Sequence, residues 1–482
     1  MPELVLIIPL VTSGLCLAIS RWAGYLTALT QLVSLGCCLV LGWQVVTAGP
    51  LVAGWFVIDA LSAFILITLS LVAATAALYS AGYMKSLYVN LERARGRSQR
   101  WYYFQFNLFI FALLLIPMLE NLGLVWIALE LTTLASVFLV GYYNNANTLE
   151  AAWKYLIISS VGAVLGLWGT AILFYAAVHG QTPYEGLDWH ALQPLAAGFS
   201  PQLMKFVLIL TLIGYGTKAG LAPMHTWLPD AHGEAPTPVS ALLSGAKTTV
   251  SFYVVMRFYF LAVVALGATA QHVMLAFSVL SIIIAGAFIL QQRDYKRLLA
   301  YSTVEHIGIA GLGIGFGTPL AVYGALLHLF NHAMTKSMLF YTAGNINLKY
   351  NTKEIPKVSG LLSAMPFTGA VFLVGILAVT GLPPFSIFVS KLTILMAGFN
   401  SFPTVASFLL LMIAIIFFGF LRVASPMLFG QLAAEQRGTR RISRWSTSAV
   451  VLSLLVIAGA GVFTPYPLQQ LLTSAAAVFL GR

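Results

Sequence analysis

The chain is predicted to be an all-α polytopic membrane protein of about fourteen transmembrane helices, with two inverted five-helix repeats that each contain one broken helix. Three observations predict this. First, 60% of the 482 residues are hydrophobic and 8% are charged, with a mean hydropathy of +0.91, far from the balance of soluble domains. Second, the apolar runs are about 17–28 residues long, which suits helices crossing about 30 Å of hydrocarbon and is too long for the strands of a membrane barrel. Third, two runs combine a Gly/Pro break with a lysine: Lys218 in GTKAGLAPMHTWLPDAH (216–232) and Lys391 in TGLPPFSIFVSKLTIL (380–395). Ionisable groups at lipid depth are costly, and irregular backbone there survives only where protein or water satisfies it, so both features point to an ion pathway.

Taken in order, the expected spans are 4–20, 26–48, 55–79, 103–119, 122–142, 154–178, 203–222, 237–260, 271–291, 297–315, 320–346, 366–396, 402–428 and 447–464. The first follows Glu3 rather than a basic region, so it is expected to be a retained span and not a cleaved signal. Cys16, Cys37 and Cys38 fall in the first two runs without the paired spacing of an iron–sulfur or zinc site and read as packing residues. Asp59, in VIDALSAF, is expected to hydrogen-bond near the start of the third helix. Lys154 opens the sixth span, as an interface anchor or a helper of Glu130, and Lys205 opens the seventh as an interface residue. Arg257, at the far end of the eighth, is expected to snorkel to the interface.

Basic residues follow spans 1, 3, 9, 11 and 13, at Arg21, Lys85–Arg100, Arg293–Arg297, Lys349–Lys357 and Arg437–Arg444. The positive-inside pattern then makes these loops cytoplasmic and both termini periplasmic, in a bacterial inner membrane, with the acidic loop 179–202 (Glu185, Asp188) outside. The same dispersal over short loops argues against a nucleic-acid surface despite the net charge of +11. Spans 4–8 and 9–13 form two blocks of five, and because five is odd the second enters the membrane from the opposite side. Each has its broken, lysine-bearing member in fourth place, the arrangement that marks a mid-membrane transport site. The expected organisation is 1–100 for the first three helices, 101–262 and 263–430 for the repeats, and 431–482 for a cytoplasmic loop and the last helix.

The ionisable residues inside these spans form a candidate proton relay. Glu130, halfway along the fifth span, needs a partner, and Lys218 is the nearest plausible one; a structural ion pair is the bland alternative. Lys247 lies in SGAKTTVSFYVVMRF, and Glu305 and His306 are neighbours in YSTVEHIGIAGLG. His328, His332 and Lys336 are spaced four and four in HLFNHAMTKSMLF, which places them on one helix face as a stripe about 12 Å long. No cysteine or carboxylate adjoins the histidines to complete a metal site, so no metal is expected. Together with Lys391 these residues suggest titratable groups threading both repeats parallel to the membrane. Asp230 and Glu234 are expected in the turn after the seventh span, where Glu234 and His232 line an access funnel.

The segments EAAWKYLIISSVG, GTKAGLAPMHTWLPDAHGEAPTPVSALL, DYKRLLAYSTVEHIGIAGLG, HLFNHAMTKSMLFYTAGNI and AVTGLPPFSIFVSK resemble the antiporter-like subunits of complex I, Mrp antiporters and membrane-bound hydrogenases, over roughly 100–400. The Glu-His pair and EAAWKY are most similar to the F component of hydrogenase-4 and formate-hydrogenlyase-type complexes. The resemblance implies that Glu130 is the carboxylate of the fifth helix, Lys218 the lysine of the seventh, His328, His332 and Lys336 the central relay, and Lys391 the distal lysine. Members place the eighth-helix position at slightly different registers, so whether Lys247 lies on the axis stays open. The chain stops at Arg482 without the long lateral helix of the distal complex I subunit, so a medial subunit is the expected model. The resemblance further implies no redox cofactor in the chain itself. It implies as partners other membrane subunits and a peripheral iron–sulfur, hydrogenase-like or quinone-reductase arm.

The expected function is therefore a proton-translocating subunit of a redox-driven complex. The alternatives are an Mrp-type cation/proton antiporter subunit and a membrane partner of an inorganic-carbon uptake complex. Sodium sites favour oxygen ligands, whereas this axis is rich in nitrogen bases, which favours protons.

Overall fold

The computed structural model describes residues 2–90, 98–431 and 442–481. Of the basic loops expected at Lys85–Arg100 and Arg437–Arg444, residues 91–97 and 437–441 lie outside the described residues.

Helices α1 (Pro2–Ala18) and α2 (Ala23–Ala48) lead to a short hairpin, β1 (Leu51–Ala53) paired antiparallel with β2 (Phe56–Ile58). That hairpin takes the residues expected to open the third span. Helix α3 (Ala60–Asn90) begins only after Asp59, whose Oδ1 accepts from the Ser62 amide at 2.8 Å. The first set of five follows. Helices α4 (Gln99–Leu115) and α5 (Leu122–Val140) are joined through a 3-10 turn, and Asn121 caps α5 by accepting from the Gly123 and Leu124 amides. Helix α6 (Ala146–Val178) starts with a capping box between Asn145 and Thr148, and the loop after it carries α7 (Trp189–Leu195). Helix α8 (Pro201–Ala219) ends at Gly220, which has φ +90°, and after an irregular stretch the chain resumes as α9 (Trp227–Glu234). The next span is assembled from α10 (Thr237–Ala241), a π-helical turn over Leu242–Lys247 and α11 (Thr248–Leu266).

The second set comprises α12 (Ala268–Ile289), α13 (Tyr295–Phe316), α14 (Pro319–Tyr350), a broken pair and α18. Asp294 caps α13 and Thr318 caps α14. After α15 (Leu361–Ala364), α16 (Pro366–Thr380) stops at Gly381, φ +88°, and α17 (Ser386–Ser401) continues beyond the break. Helices α18 (Pro403–Phe429), α19 (Arg444–Val462) and α20 (Tyr466–Phe479) complete the chain. The sequence reading did not anticipate α20, which packs against α3 and α14.

Among the described residues ten helices are long and apolar enough to cross a membrane. The other four expected spans are short (α1), broken (α8–α9 and α16–α17) or polar (α14). Polarity is tolerated in α14 because it is the central helix: every residue from Gly324 to Ile346 is buried, against α3, α10, α13, α16, α17 and α19. Lipid-type side chains instead point outward from the peripheral helices, such as Trp43, Trp168 and Phe418. Gly245 lets α14 come that close, since a Cβ there would lie 2.8 Å from the Ala333 carbonyl oxygen.

Candidate functional site

The two breaks create the first and last parts of the site. In the first set Lys218 occupies the last turn of α8, where the unpaired carbonyls at a helix C-terminus favour a cation. Its Nζ lies 2.7 Å from Glu130 Oε1 on α5 and donates to Thr133 Oγ1 at 2.7 Å. In the second set Lys391 sits on the far side of the break, on α17. It donates to Glu305 Oε1 on α13 at 3.0 Å and to the carbonyl of Thr380, the last residue of α16, at 3.3 Å. Each pair therefore joins the second and fourth members of its set of five, a symmetry that linear spacing did not reveal: Glu305 pairs with Lys391 rather than with its neighbour His306.

Between the pairs runs a file of buried bases. Lys247, at the end of the π turn, has its Nζ against the Tyr155 hydroxyl and 5.0 Å from the Trp227 ring centre. The Tyr155 hydroxyl also meets Ser136 Oγ, one turn beyond Thr133 on α5. Trp227 in turn lies 6.0 Å from the His232 ring, and His232 lies 5.8 Å from Phe340, under the Lys336 ammonium. Lys336 donates to the Leu299 carbonyl and to Ser302 Oγ. The His306 ring lies 5.2 Å from that of His332 and its Nδ1 is 2.9 Å from His328 Nε2; His328 Nδ1 is 3.0 Å from Ser390 Oγ.

Hydrogen-bond bookkeeping sets the tautomers of the neutral rings. Ser390 Oγ donates to the Ile387 carbonyl, so it accepts from His328 Nδ1–H, which leaves His328 Nε2 to accept from His306 Nδ1–H. His306 Nε2 then carries a lone pair. The same argument applies to His232, whose Nδ1 faces the Leu228 carbonyl at 2.7 Å and must donate, leaving the lone pair on Nε2. Both lone-pair nitrogens are buried and meet no partner among the described residues, as do both nitrogens of His332.

Two sequence expectations need correction. The turn after the seventh span is the helix α9, and its His232 is fully buried rather than at the mouth of a funnel, because α9 packs against α6 and α13 and turns the His232 ring toward Phe340 of α14. Of the other helpers, Glu234 sits in a narrow cleft with Lys296 and Lys353 and pairs with Lys353 at 2.6 Å. Lys154 is surface-exposed, bridging Glu150 at 2.6 Å and Asp230 at 3.2 Å. Arg257 does not snorkel: it is 4% exposed and bound to Asp59 Oδ2 at 2.6 Å. Burial opposes the charge on Asp59, yet the guanidinium outweighs it and holds the carboxyl below the usual carboxylate range.

The family described as NADH:quinone oxidoreductase/Mrp antiporter, TM, matches residues 120–442. The chain belongs to this family. A hydrogenase-4 component F homolog of Methylacidiphilum infernorum is 37% identical over 357 residues, 73% of this chain and 74% of that one. NADH-quinone oxidoreductase subunit N of Desulforudis audaxviator is 29% identical over 412 residues, covering 81% and 79%. In fold, the chain superposes on one from an archaeal membrane-bound sulfane sulfur reductase with a TM-score of 0.87 at 22% identity, covering 99% and 97% of the two chains. It superposes on one from respiratory complex I of Thermus thermophilus with a TM-score of 0.83 at 24% identity and full coverage of both.

In this antiporter-like family member the buried bases touch several polar groups that the charge-led sequence reading passed over: Thr133, Tyr155, Trp227, Ser302 and Ser390. Thr133 was findable, three residues after Glu130 and hence on its face. Tyr155 and Trp227 look like ordinary interface aromatics in sequence, and only packing turns them inward.

Proposed function

We propose that this chain is a proton-translocating, antiporter-like membrane subunit of a multisubunit redox-driven complex of the hydrogenase-4 or NADH-dehydrogenase type. Protons move through Glu130, Lys218, Lys247, the fully buried His232, Lys336, His332, His306, His328 and the Glu305–Lys391 pair. The observation that carries this is the repetition of a buried carboxylate–lysine pair at both ends of one file of bases. Two oppositely charged groups about 3 Å apart attract by about 5–6 kcal/mol at an effective dielectric of 20, and opening the pair to about 6 Å halves that. The attraction lost, about 3 kcal/mol, leaves the Lys218 charge less compensated, and a field change of that size at a neighbouring base alters its proton affinity by about a hundredfold. Opening Glu130–Lys218 thus pushes a proton off Lys247 or Lys336, and the second pair repeats the step in the other half.

The partners in this reading are sister membrane subunits and a peripheral arm that supplies the redox energy. The setting is a bacterial inner membrane, with fourteen crossings, basic loops inside, both termini outside and repeats at 101–262 and 263–430. Sodium exchange fits less well, because both carboxylates of the axis are already engaged by lysines.

The test is proton uptake into sealed vesicles holding the assembled complex, with redox turnover followed in parallel, for wild type, Lys218→Ala and Lys391→Ala. Loss of uptake in an assembled, turning-over complex supports the relay; uptake equal to wild type in both variants refutes it.

A further inference from the structure

A second set of buried charges lies outside that file, at the membrane face where α3 and α5 begin and α11 ends. Arg257 is ten residues beyond Lys247 on the same helix, about 15 Å along its axis. Its Nη2 donates to Asp59 Oδ2 at 2.6 Å and to Ser62 Oγ at 3.1 Å, and its Nε donates to the Tyr253 hydroxyl at 3.1 Å. The Tyr253 hydroxyl lies 3.0 Å from Ser62 Oγ, and Ser251, one turn on from Lys247, has a buried hydroxyl without a partner among the described residues. On the outer side His190 Nε2 is 3.9 Å from Asp59 Oδ2 and His190 Nδ1 is 3.3 Å from Glu120 Oε1. Side-chain exposure is graded: Asp59 1%, Arg257 5%, Glu120 25%, His190 37%. A cleft between these groups has space of about 10 Å³, the lower limit for one water.

We propose that Glu120, His190 and the Asp59–Arg257 pair form the outlet by which protons leave Lys247 for the membrane face opposite the basic loops. A bare structural clasp between α3 and α11 needs only Asp59 and Arg257. It does not need a base and a second carboxylate leading stepwise to the surface. The inference rests on the translocation reading above. Arg257 stays charged throughout and holds Asp59 as a carboxylate. A proton released from Lys247 neutralises Asp59 and loosens the pair. Asp59 then gives that proton to His190 Nε2 as the exposed ring turns toward it, and the imidazolium loses its Nδ1 proton to Glu120, which delivers it to the aqueous face. The outlet resets when Asp59 re-forms its bond with Arg257 and the half-exposed His190 ring returns to its Nδ1–H tautomer by proton exchange with water. The charged and titratable groups near His190 are Asp59, Glu120, Arg257 and Tyr253, together with Asp188, two residues earlier in the chain, which accepts from the Tyr184 hydroxyl and from Asn121.

The experiment uses the assembled complex in sealed vesicles and reads protons delivered per electron pair as a function of pH on the receiving side. Wild type, His190→Gln, Glu120→Gln, Glu120→Asp and Lys218→Ala are compared. The outlet predicts a drop of at least fivefold for His190→Gln and Glu120→Gln, loss of the wild-type pH dependence in His190→Gln, and rescue by Glu120→Asp. In a second measurement His190→Cys is expected to be labelled by a membrane-impermeant thiol reagent added on the receiving side and not by the same reagent added on the other; labelling from the wrong side overturns the outlet. If both variants deliver protons with the wild-type yield and pH profile while Lys218→Ala stops delivery, the outlet is wrong and translocation stands. If Lys218→Ala also delivers normally, the translocation reading itself has failed and the outlet with it.

Discussion

Glu130–Lys218 and Glu305–Lys391 hold the same ordinal places in their sets of five, but they are not equally sealed. Glu130 is 21% exposed while Lys218 is fully buried; Glu305 and Lys391 are 1% and 4% exposed. The lysine precedes the helix break in the first set and follows it in the second. A carboxylate that reaches the molecular surface can be addressed by a neighbouring subunit, whereas a sealed one responds only through the protein. The two pairs therefore differ in what can reach them from outside the chain.

The largest effect expected from this difference is on the sealed side. Lys391→Ala leaves Glu305 as an unpaired buried carboxylate and should lower the stability of the second set by about 3–5 kcal/mol, seen as earlier thermal unfolding of the purified complex. Replacing both partners, Glu305→Leu with Lys391→Leu, should restore most of that stability while proton uptake stays absent. A double variant no more stable than the single one would mean that the pair is not the source of the loss.

Lys218→Ala should destabilise less, by about 1–3 kcal/mol, because the freed Glu130 can turn to its exposed side. Equal thermal shifts for Lys218→Ala and Lys391→Ala would erase the contrast between the pairs.

The two break glycines sharpen it further. Gly220→Ala and Gly381→Ala both put a Cβ on a left-handed residue, at about 1–2 kcal/mol each. At Gly381 the new Cβ would also lie 2.9 Å from Lys391 Cδ, whereas at Gly220 it meets only the end of the flexible Leu228 side chain. Proton uptake per electron should fall markedly for Gly381→Ala and little for Gly220→Ala. The smallest effects belong to the caps. Asn145→Ala and Thr318→Ala should each cost about 0.5–2 kcal/mol in thermal stability and leave uptake per electron as in wild type.

Much of this was legible in linear form. Run lengths disclosed the helices, the Gly/Pro-plus-lysine motifs disclosed both breaks, and the spacing of His328, His332 and Lys336 disclosed a shared helix face, since all three signals are local consequences of helix periodicity and backbone chemistry. Glu130 with Lys218 was expected because a carboxylate at lipid depth requires a cation. The same requirement applied to Asp59 and Arg257 did not produce their pairing: 198 residues separate them, and snorkelling offered a local explanation for the arginine. The π turn that carries Lys247 has no sequence signature, because a one-residue expansion of the helix is set by what packs against it; here that is α14, at Gly245.

The sequence by itself determined that the chain is helical and apolar enough for a membrane, where its two helices break and which titratable residues lie among its apolar segments, because each of these depends on composition and on neighbours within a few turns. Only the tertiary structure decided which carboxylate meets which lysine, that His232 lies inside rather than at a mouth, and that Asp59 pairs with Arg257. Those outcomes depend on which helices become neighbours, and a long chain can bring many different partners within the few ångströms over which a buried charge is satisfied.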